Sequence, residues 1–304
     1  MNIKVKQTLL FFILILLQTN PIKAQEQSEY QFPFPSIPSE LQTPTERANY
    51  LIEHYWDHFN FTDPNLENKK DNIEQAWVDF IDILSIPIIT LDKSQTAIEQ
   101  AFQQAEINPF AFRTFASFAD KYLYSLHSTY KNEELYIFAL QSILNASILT
   151  PIEKEKPKHQ LRIAQNNRVG TVANDIQFTT TLGSSSLHAI DSPLTLLFIH
   201  DFDCHTCQLE LDEIRNSTIL QQHIQNKQLA VLTIYPYDEI TEWKNRQNTY
   251  DTLWINGYDT NQEIIEKDTY SLRASSSFYL FDSDKKIILK DSSVEIIENY
   301  LDGL

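Results

Sequence analysis

The chain has 304 residues, 42% of them hydrophobic, and sets 41 acidic against 24 basic side chains for a formal charge of −17. So acidic a body makes nucleic acid and anionic membrane surfaces poor partners. Only four glycines are present, which argues against phosphate-cradling loops, and no Ser/His/Asp order or paired-carboxylate signature stands out.

Residues 1–24 read as a signal peptide. Lys4 and Lys6 precede the apolar run Leu9 to Leu17, and Ala24 offers a small residue at a cut before Gln25. The run is short for a membrane span, so an uncleaved signal anchor is the second reading. No cysteine follows it to accept a lipid, so an exported, periplasmic chain without a stable membrane anchor is expected. Cleavage would remove Lys4, Lys6 and Lys23, three positive charges, taking −17 to −20. Residues 25–44 hold Pro33, Pro35, Pro38 and Pro44 without periodicity and read as an extended linker.

A helical period then predicts an all-α domain over 45–165. Leu51, Tyr55 and Phe59 recur four apart, with Thr43 or Thr45 as the cap. Asp63-Pro64 breaks the chain. A second helix is predicted over 71–84, with Ile73, Trp77, Phe80, Ile81 and Leu84 on one face and Pro87 beyond its end. Further helices are predicted over 94–106, 109–127 and 132–149, and the charged segment 151–165 suits one more. The aromatics Phe110, Phe112, Phe115, Phe118, Tyr122 and Tyr124 suit helix packing better than a ligand box. His54 and His58 have metal-ligand spacing on a helix, but Tyr55 stands where the hydrolytic zinc motif needs Glu, and a packed or solvated face is the better reading.

After Asn166-Asn167 the pattern turns to strands, predicting an α/β domain over 166–304. A short strand is expected before 181, a hairpin turn at Leu182-Gly183-Ser184, and a return strand over 187–190. Leu194 to His200 is a continuous apolar run, as befits a strand buried on both faces, and an amphipathic helix is predicted over 207–224. A second buried strand covers 229–235, ended by Pro236. A helix over 238–247, a loop at 254–257, a helical turn at 262–267, a strand over 277–281, a turn at 282–285 and a strand over 286–290 follow. A last helix is predicted with Ser292 as cap and Glu295 three residues on. Alternation of strand and helix before a closing hairpin builds a mixed sheet with flanking helices.

The only two cysteines, Cys204 and Cys207, lie where the first buried strand hands over to a helix. Helix-end amides and dipole favour a thiolate at Cys204, below its usual pKa of about 8.5, and Cys207 one turn later can reach the same sulfur. That is the minimal apparatus for thiol–disulfide exchange. A structural disulfide, half of a zinc site completed by His200 and His205, and two inert thiols are the competing readings. No second Cys-x-x-Cys supplies zinc ligands, and so short a bridge stabilises little. His205 and Thr206, between the sulfurs, tune the pair: a protonated imidazole favours thiolate, while Asp201 and Asp203 oppose it. No cofactor or metal is expected.

The order of these elements, the Cys-x-x-Cys opening the first long helix, the entry segment Val169-Gly170-Thr171-Val172-Ala173-Asn174-Asp175-Ile176 and the run Arg273 to Asp282 before the last hairpin together resemble the TlpA-type thioredoxin-like family, over 168–304. The helical half, with Arg47-Ala48-Asn49-Tyr50-Leu51 and His54-Tyr55-Trp56-Asp57, resembles a domain of unknown function that precedes such modules in exported Gram-negative, Bacteroidota-like proteins. The resemblance implies that Cys204 attacks and Cys207 resolves. In three places the chain departs from the family: Asp203 precedes the pair, Phe198 replaces a buried acid six residues before it, and Ser276 stands where a cis-proline faces the sulfurs. A non-proline cis bond costs about 2.5–4 kcal/mol, so Ser275-Ser276 is expected to be trans, with Ser276 tuning the dithiol or marking a module that has lost exchange.

The function expected is that of an exported thiol–disulfide oxidoreductase, taking disulfide-containing proteins as substrates and electrons from a membrane donor, because an exported close pair is oxidised unless something reduces it. A non-enzymatic binding module of the cell envelope is the alternative.

Overall fold

The computed structural model describes residues 32–272 and 276–304. The expected signal peptide, its cleavage site and the Ser275–Ser276 bond lie outside these residues. Residues 34–304 form one compact unit, helical in its first half and built on a sheet in its second.

The first helix, α1, spans Pro44–Glu53 behind a capping box in which Glu46 N–H donates to the Thr43 hydroxyl and the Thr43 N–H donates back to the Glu46 carboxylate. It stops before Tyr55 and Phe59, which sequence periodicity places on it. Residues 55–58 form turns instead, because the sequence neighbours Tyr55 and Trp56 both enter one aromatic core, which a single helical stripe would not allow. His54 and His58 therefore do not share a helix, and His54 Nδ1 lies 2.7 Å from the Asp57 carboxylate.

Helix α2, Lys70–Leu84, buries Ile73, Trp77, Phe80, Ile81 and Leu84, the face its sequence predicts. Helix α3 spans Leu91–Ala105 and begins three residues before the predicted start. Helix α4 is shorter than predicted, running over Pro109–Phe118 before a π-helical stretch at Ala119–Tyr124. Helices α5, Glu133–Asn145, and α6, Pro151–Gln165, follow, the former ending short of 149 where the Glu106 carboxylate accepts from Ser147 and Ile148. Phe115 sits at the middle of the aromatic packing, 4.7 Å from Trp56 and 4.9 Å from Trp77 between ring centroids.

The second half holds strands β1 (Gln177–Thr180), β2 (Gly183–Ser186), β3 (Leu194–His200), β4 (Leu229–Tyr235), β5 (Ile255–Tyr258), β6 (Ser276–Phe281) and β7 (Ile287–Lys290) in the order β2-β1-β5-β4-β3-β6-β7. β3, β4 and β5 run parallel and the other pairings are antiparallel. Helices α7 (His205–Asn216), α8 (Thr218–Gln225), α9 (Ile240–Asn245), α10 (Glu263–Glu266) and α11 (Val294–Asp302) connect and flank them. Alternate residues of the central strands serve two cores. Leu196, Phe198, Val231, Phe278 and Leu280 pack with α7, α8 and α11, while Leu197, Ile199, Leu232, Ile234 and Tyr279 pack with Ile176, Leu187, Ile264 and Tyr270. Burial on both faces is why these strands read as unbroken apolar runs.

Four expectations for this half are corrected. The hairpin turns at Thr181-Leu182, so 183–186 is the return strand and Leu187–Ala189 a 3₁₀ turn that buries Leu187. The helix expected over 207–224 is two helices, since the Ser217 hydroxyl accepts from Leu220 N–H and caps a new one. Of residues 254–257, expected as loop, 255–257 belong to β5, which runs on to Tyr258. A Cβ on Gly257 would lie 2.5 Å from Ile234 Cδ1, so glycine there permits the close approach of strand and core that its composition disguises. Ser293, not Ser292, caps α11.

Charged contacts join the two halves. Lys290 Nζ, almost fully buried, lies 2.7 Å from the Glu133 carboxylate and donates to the Asn166 carbonyl, and Lys131 donates to the Asp291 carbonyl. Arg168 forks onto Glu134, and Arg162 pairs with Asp268.

Candidate redox site

Strand β3 ends at His200 and α7 begins at His205, leaving Cys204 as N-cap in extended conformation. Cys204 and Cys207 form a disulfide with Cα atoms 5.2 Å apart, and the Cys207 N–H donates to Cys204 Sγ at 3.1 Å. The helix thus directs one of its free amides at the outer sulfur, the geometry that stabilises a thiolate there once the bond opens. Cys207 is completely buried in the core beneath α7, whereas Cys204 is partly exposed. The asymmetry follows from position: a cap residue projects past the helix end, while the third helical residue joins the apolar stripe with Leu211 and Ile214.

His205 and Thr206 are exposed on the first turn of α7. Asp203 is exposed as well, its N–H donating to Asp201 Oδ1 at 3.2 Å in a turn that shapes the approach to Cys204. Burial, and after it the Asp201 charge, push the Tyr237 hydroxyl above its usual range, and Asp203 contributes to the upward shift of Arg246 after Glu242. Carboxylates thus reach this end of the sheet.

Ser276 opens β6 directly opposite His200. Its hydroxyl hydrogen-bonds the carboxyl of Glu210, one turn beyond Cys207, and so joins α7 to the strand facing it. Glu210 is a candidate site residue that sequence reasoning missed. Burial raises its pKa from 4.5, the Ser276 hydroxyl opposes that, and Glu213 adds to it, while Oε2 is buried without a partner among the described residues. The signal was present in the sequence: Cys207, Glu210, Leu211 and Ile214 fall at the i, i+3, i+4 and i+7 positions of one stripe, where a carboxylate is out of place.

His200, considered as a zinc ligand from sequence, is instead locked in the core. Its Nε2 lies 3.0 Å from the Tyr250 hydroxyl, and its ring stacks 4.9 Å from Phe198. Burial lowers its pKa to about 4, outweighing the upward pull of Asp201, and the imidazole is neutral at pH 7. His205 is on the surface, so the two imidazoles are in different environments. Among the described residues no group of three or more His, Cys, Asp or Glu is placed to hold a metal ion. No described helix is long and apolar enough to cross a membrane.

Residues 16–167 match the family described as a domain of unknown function (DUF5106). Among solved structures, a thioredoxin-like protein from Bacteroides caccae is 37% identical with a TM-score of 0.82, covering 90% of this chain and 99% of its own. The C-terminal domain of an uncharacterized Bacteroides fragilis protein is 36% identical with a TM-score of 0.44, covering 45% of this chain and 98% of its own. A domain of a possible thiol-disulfide isomerase from Cytophaga hutchinsonii is 25% identical with a TM-score of 0.38, covering 46% of this chain and 94% of its own. No curated protein matches the chain.

Proposed function

The chain belongs to the family described as a domain of unknown function (DUF5106) and is thioredoxin-like in its second half; from that premise we propose that it is an exported thiol–disulfide oxidoreductase whose Cys204–Cys207 pair reduces disulfides in other proteins. The observation that carries the reading is the Cys204–Cys207 disulfide at the start of α7, with the outer sulfur half-exposed and receiving a helix amide and the inner one buried.

In the reductive direction Cys204 thiolate attacks one sulfur of the substrate disulfide, forming a mixed disulfide and expelling the other substrate sulfur as thiolate. Cys207 then loses its proton and attacks Cys204 Sγ, which closes the Cys204–Cys207 bond and releases the second substrate thiolate. Two electrons pass to the substrate. Glu210, a carboxyl of raised pKa one turn from Cys207, is suited to take the Cys207 proton. Ser276 holds Glu210, and His205, Thr206 and Asp203 set the polarity around Cys204. Reopening the bond consumes two electrons from outside, which an export compartment supplies through a membrane donor. Lys4, Lys6, the run Leu9 to Leu17 and Ala24 support export with cleavage before Gln25.

The test is trapping. In the reduced protein Cys204 is alkylated first, and Cys207→Ser accumulates mixed disulfides with substrate proteins while Cys204→Ser does not. Equal alkylation of the two thiols, or trapping by Cys204→Ser alone, reverses the assignment. With no adduct from either variant, and no reduction of a protein disulfide by the parent chain, the oxidoreductase reading fails and a binding module takes its place.

A further inference from the structure

A cavity of about 600 Å³ opens on the sheet half away from the disulfide, between the tip of the β1–β2 hairpin and the segment leading into β5. Its polar lining is made of amides and hydroxyls, with Thr181, Gln247, Asn248, Thr252 and Asn256 contributing. Each of these groups carries or pairs with both donors and acceptors, as a backbone peptide group does. Among the described residues the only charged group in the lining is Asp251, and its Oδ1 is already engaged by the Leu253 N–H. Trp254 forms part of the wall and is 5% exposed, and its indole N–H has no acceptor among the described residues. At the rim Leu182 is 97% exposed, an apolar side chain that a polypeptide can cover.

Helix α7 measures how this cavity stands to Cys204. The Arg215 guanidinium lies 5.7 Å from the Trp254 ring centre and donates to the Thr249 carbonyl, pinning the segment that forms the wall. Arg215 follows Cys204 by eleven residues, which at about 100° and 1.5 Å per residue is three turns, roughly 16 Å along the helix and on the same side of it. An extended chain at about 3.3 Å per residue covers that span in about five residues. Tyr250, also in the wall, hydrogen-bonds His200 at the end of β3, so the cavity and the disulfide are built on one packed core.

We propose that this cavity is a second docking site for the disulfide-bearing polypeptide, holding an uncharged extended segment about five residues from the cysteine that Cys204 attacks. The inference rests on the oxidoreductase reading for its partner, and assigns the cavity a part in selecting substrate rather than in chemistry. Two contacts, one covalent and one at the cavity, raise the effective concentration of the scissile disulfide at Cys204, so the site acts on KM for proteins and leaves small disulfides untouched.

The test uses the full mature chain and the double variant Leu182→Asp/Asn248→Asp, both positions being exposed so that folding is not at stake. Reduction of insulin is compared with reduction of oxidised glutathione. The expected result is a KM for insulin raised about tenfold, a cost of about 1.4 kcal/mol, with kcat and the glutathione rate unchanged. An unchanged KM overturns docking and leaves the redox reading intact. Binding is measured separately on the oxidised protein with a cysteine-free insulin B chain, its cysteines replaced by serine. Saturable binding to the parent, weakened about tenfold in the double variant, supports docking even if neither disulfide is reduced. Absent or equal binding sinks it.

Discussion

His200→Phe isolates the one buried imidazole of the redox half. In the parent the His200 pKa is lowered to about 4 from 6.5, chiefly by burial, so the folded state resists a proton that the unfolded state accepts. The sign follows directly. Between pH 6.5 and 4 the unfolded chain binds more protons, and stability falls as pH falls through that window. For those two values the loss between pH 7 and pH 5 is about 2 kcal/mol, approaching about 3 kcal/mol at pH 4. Phenylalanine keeps the ring stacked among Phe198, Phe202 and Tyr250 but cannot titrate. It loses the hydrogen bond to Tyr250, about 1 kcal/mol, and removes the poorly satisfied Nδ1, an opposing change of similar size. The variant should therefore lie within about 1 kcal/mol of the parent at pH 7 and gain about 2 kcal/mol on it by pH 5. Urea unfolding of both proteins at the two pH values, followed by tryptophan fluorescence, reads the difference, and carboxylates that titrate in both cancel. A stability gap between parent and variant that stays the same at pH 7 and pH 5 would refute the buried, neutral assignment of His200.

Gly257→Ala should destabilise by about 1–3 kcal/mol, because the added Cβ meets Ile234 Cδ1 at 2.5 Å and Phe178 at 3.0 Å in a packed sheet; thermal unfolding at parental stability would show that the strand yields. Lys290→Met removes an ion-pair partner of Glu133 and the hydrogen bond to the Asn166 carbonyl at the junction of the halves and should cost about 1.5–3 kcal/mol, with Glu133→Gln added to it recovering part of the loss in a double-mutant cycle. Full additivity would mean that the pair is not coupled. Glu210→Gln should leave the far-UV spectrum unchanged and remove from the pH–rate profile of exchange the inflection of a carboxyl shifted upward by burial. An identical profile would exclude Glu210 as the proton acceptor.

By itself the sequence determined the class of the fold and the strand-to-helix step that carries its two cysteines. The helical first half, the strands 194–200 and 229–235, and the strand-to-helix step at Cys204 are all written in local periodicity, since an unbroken apolar run and a 3.6-residue stripe each have one stable way to bury themselves. Tertiary structure decided what local pattern underdetermines. Residues 255–257 look like a loop because asparagine and glycine are poor strand formers, yet β4 supplies a partner and Ile234 needs the space a side chain would take. Tyr55 and Phe59 have helical spacing but lie beyond the helix, Tyr55 in a turn and Phe59 just after it, because the core of Trp56 and Phe115 draws in adjacent residues on more than one side. The site divides in the same way. Cys204 and Cys207 are three residues apart and legible in sequence, whereas Ser276 meets Glu210, and Tyr250 meets His200, only because β6 and the segment before β5 fold against α7 and β3. Burial that sets the state of Glu210 and His200 comes from residues distant in the chain, and no local pattern encodes it.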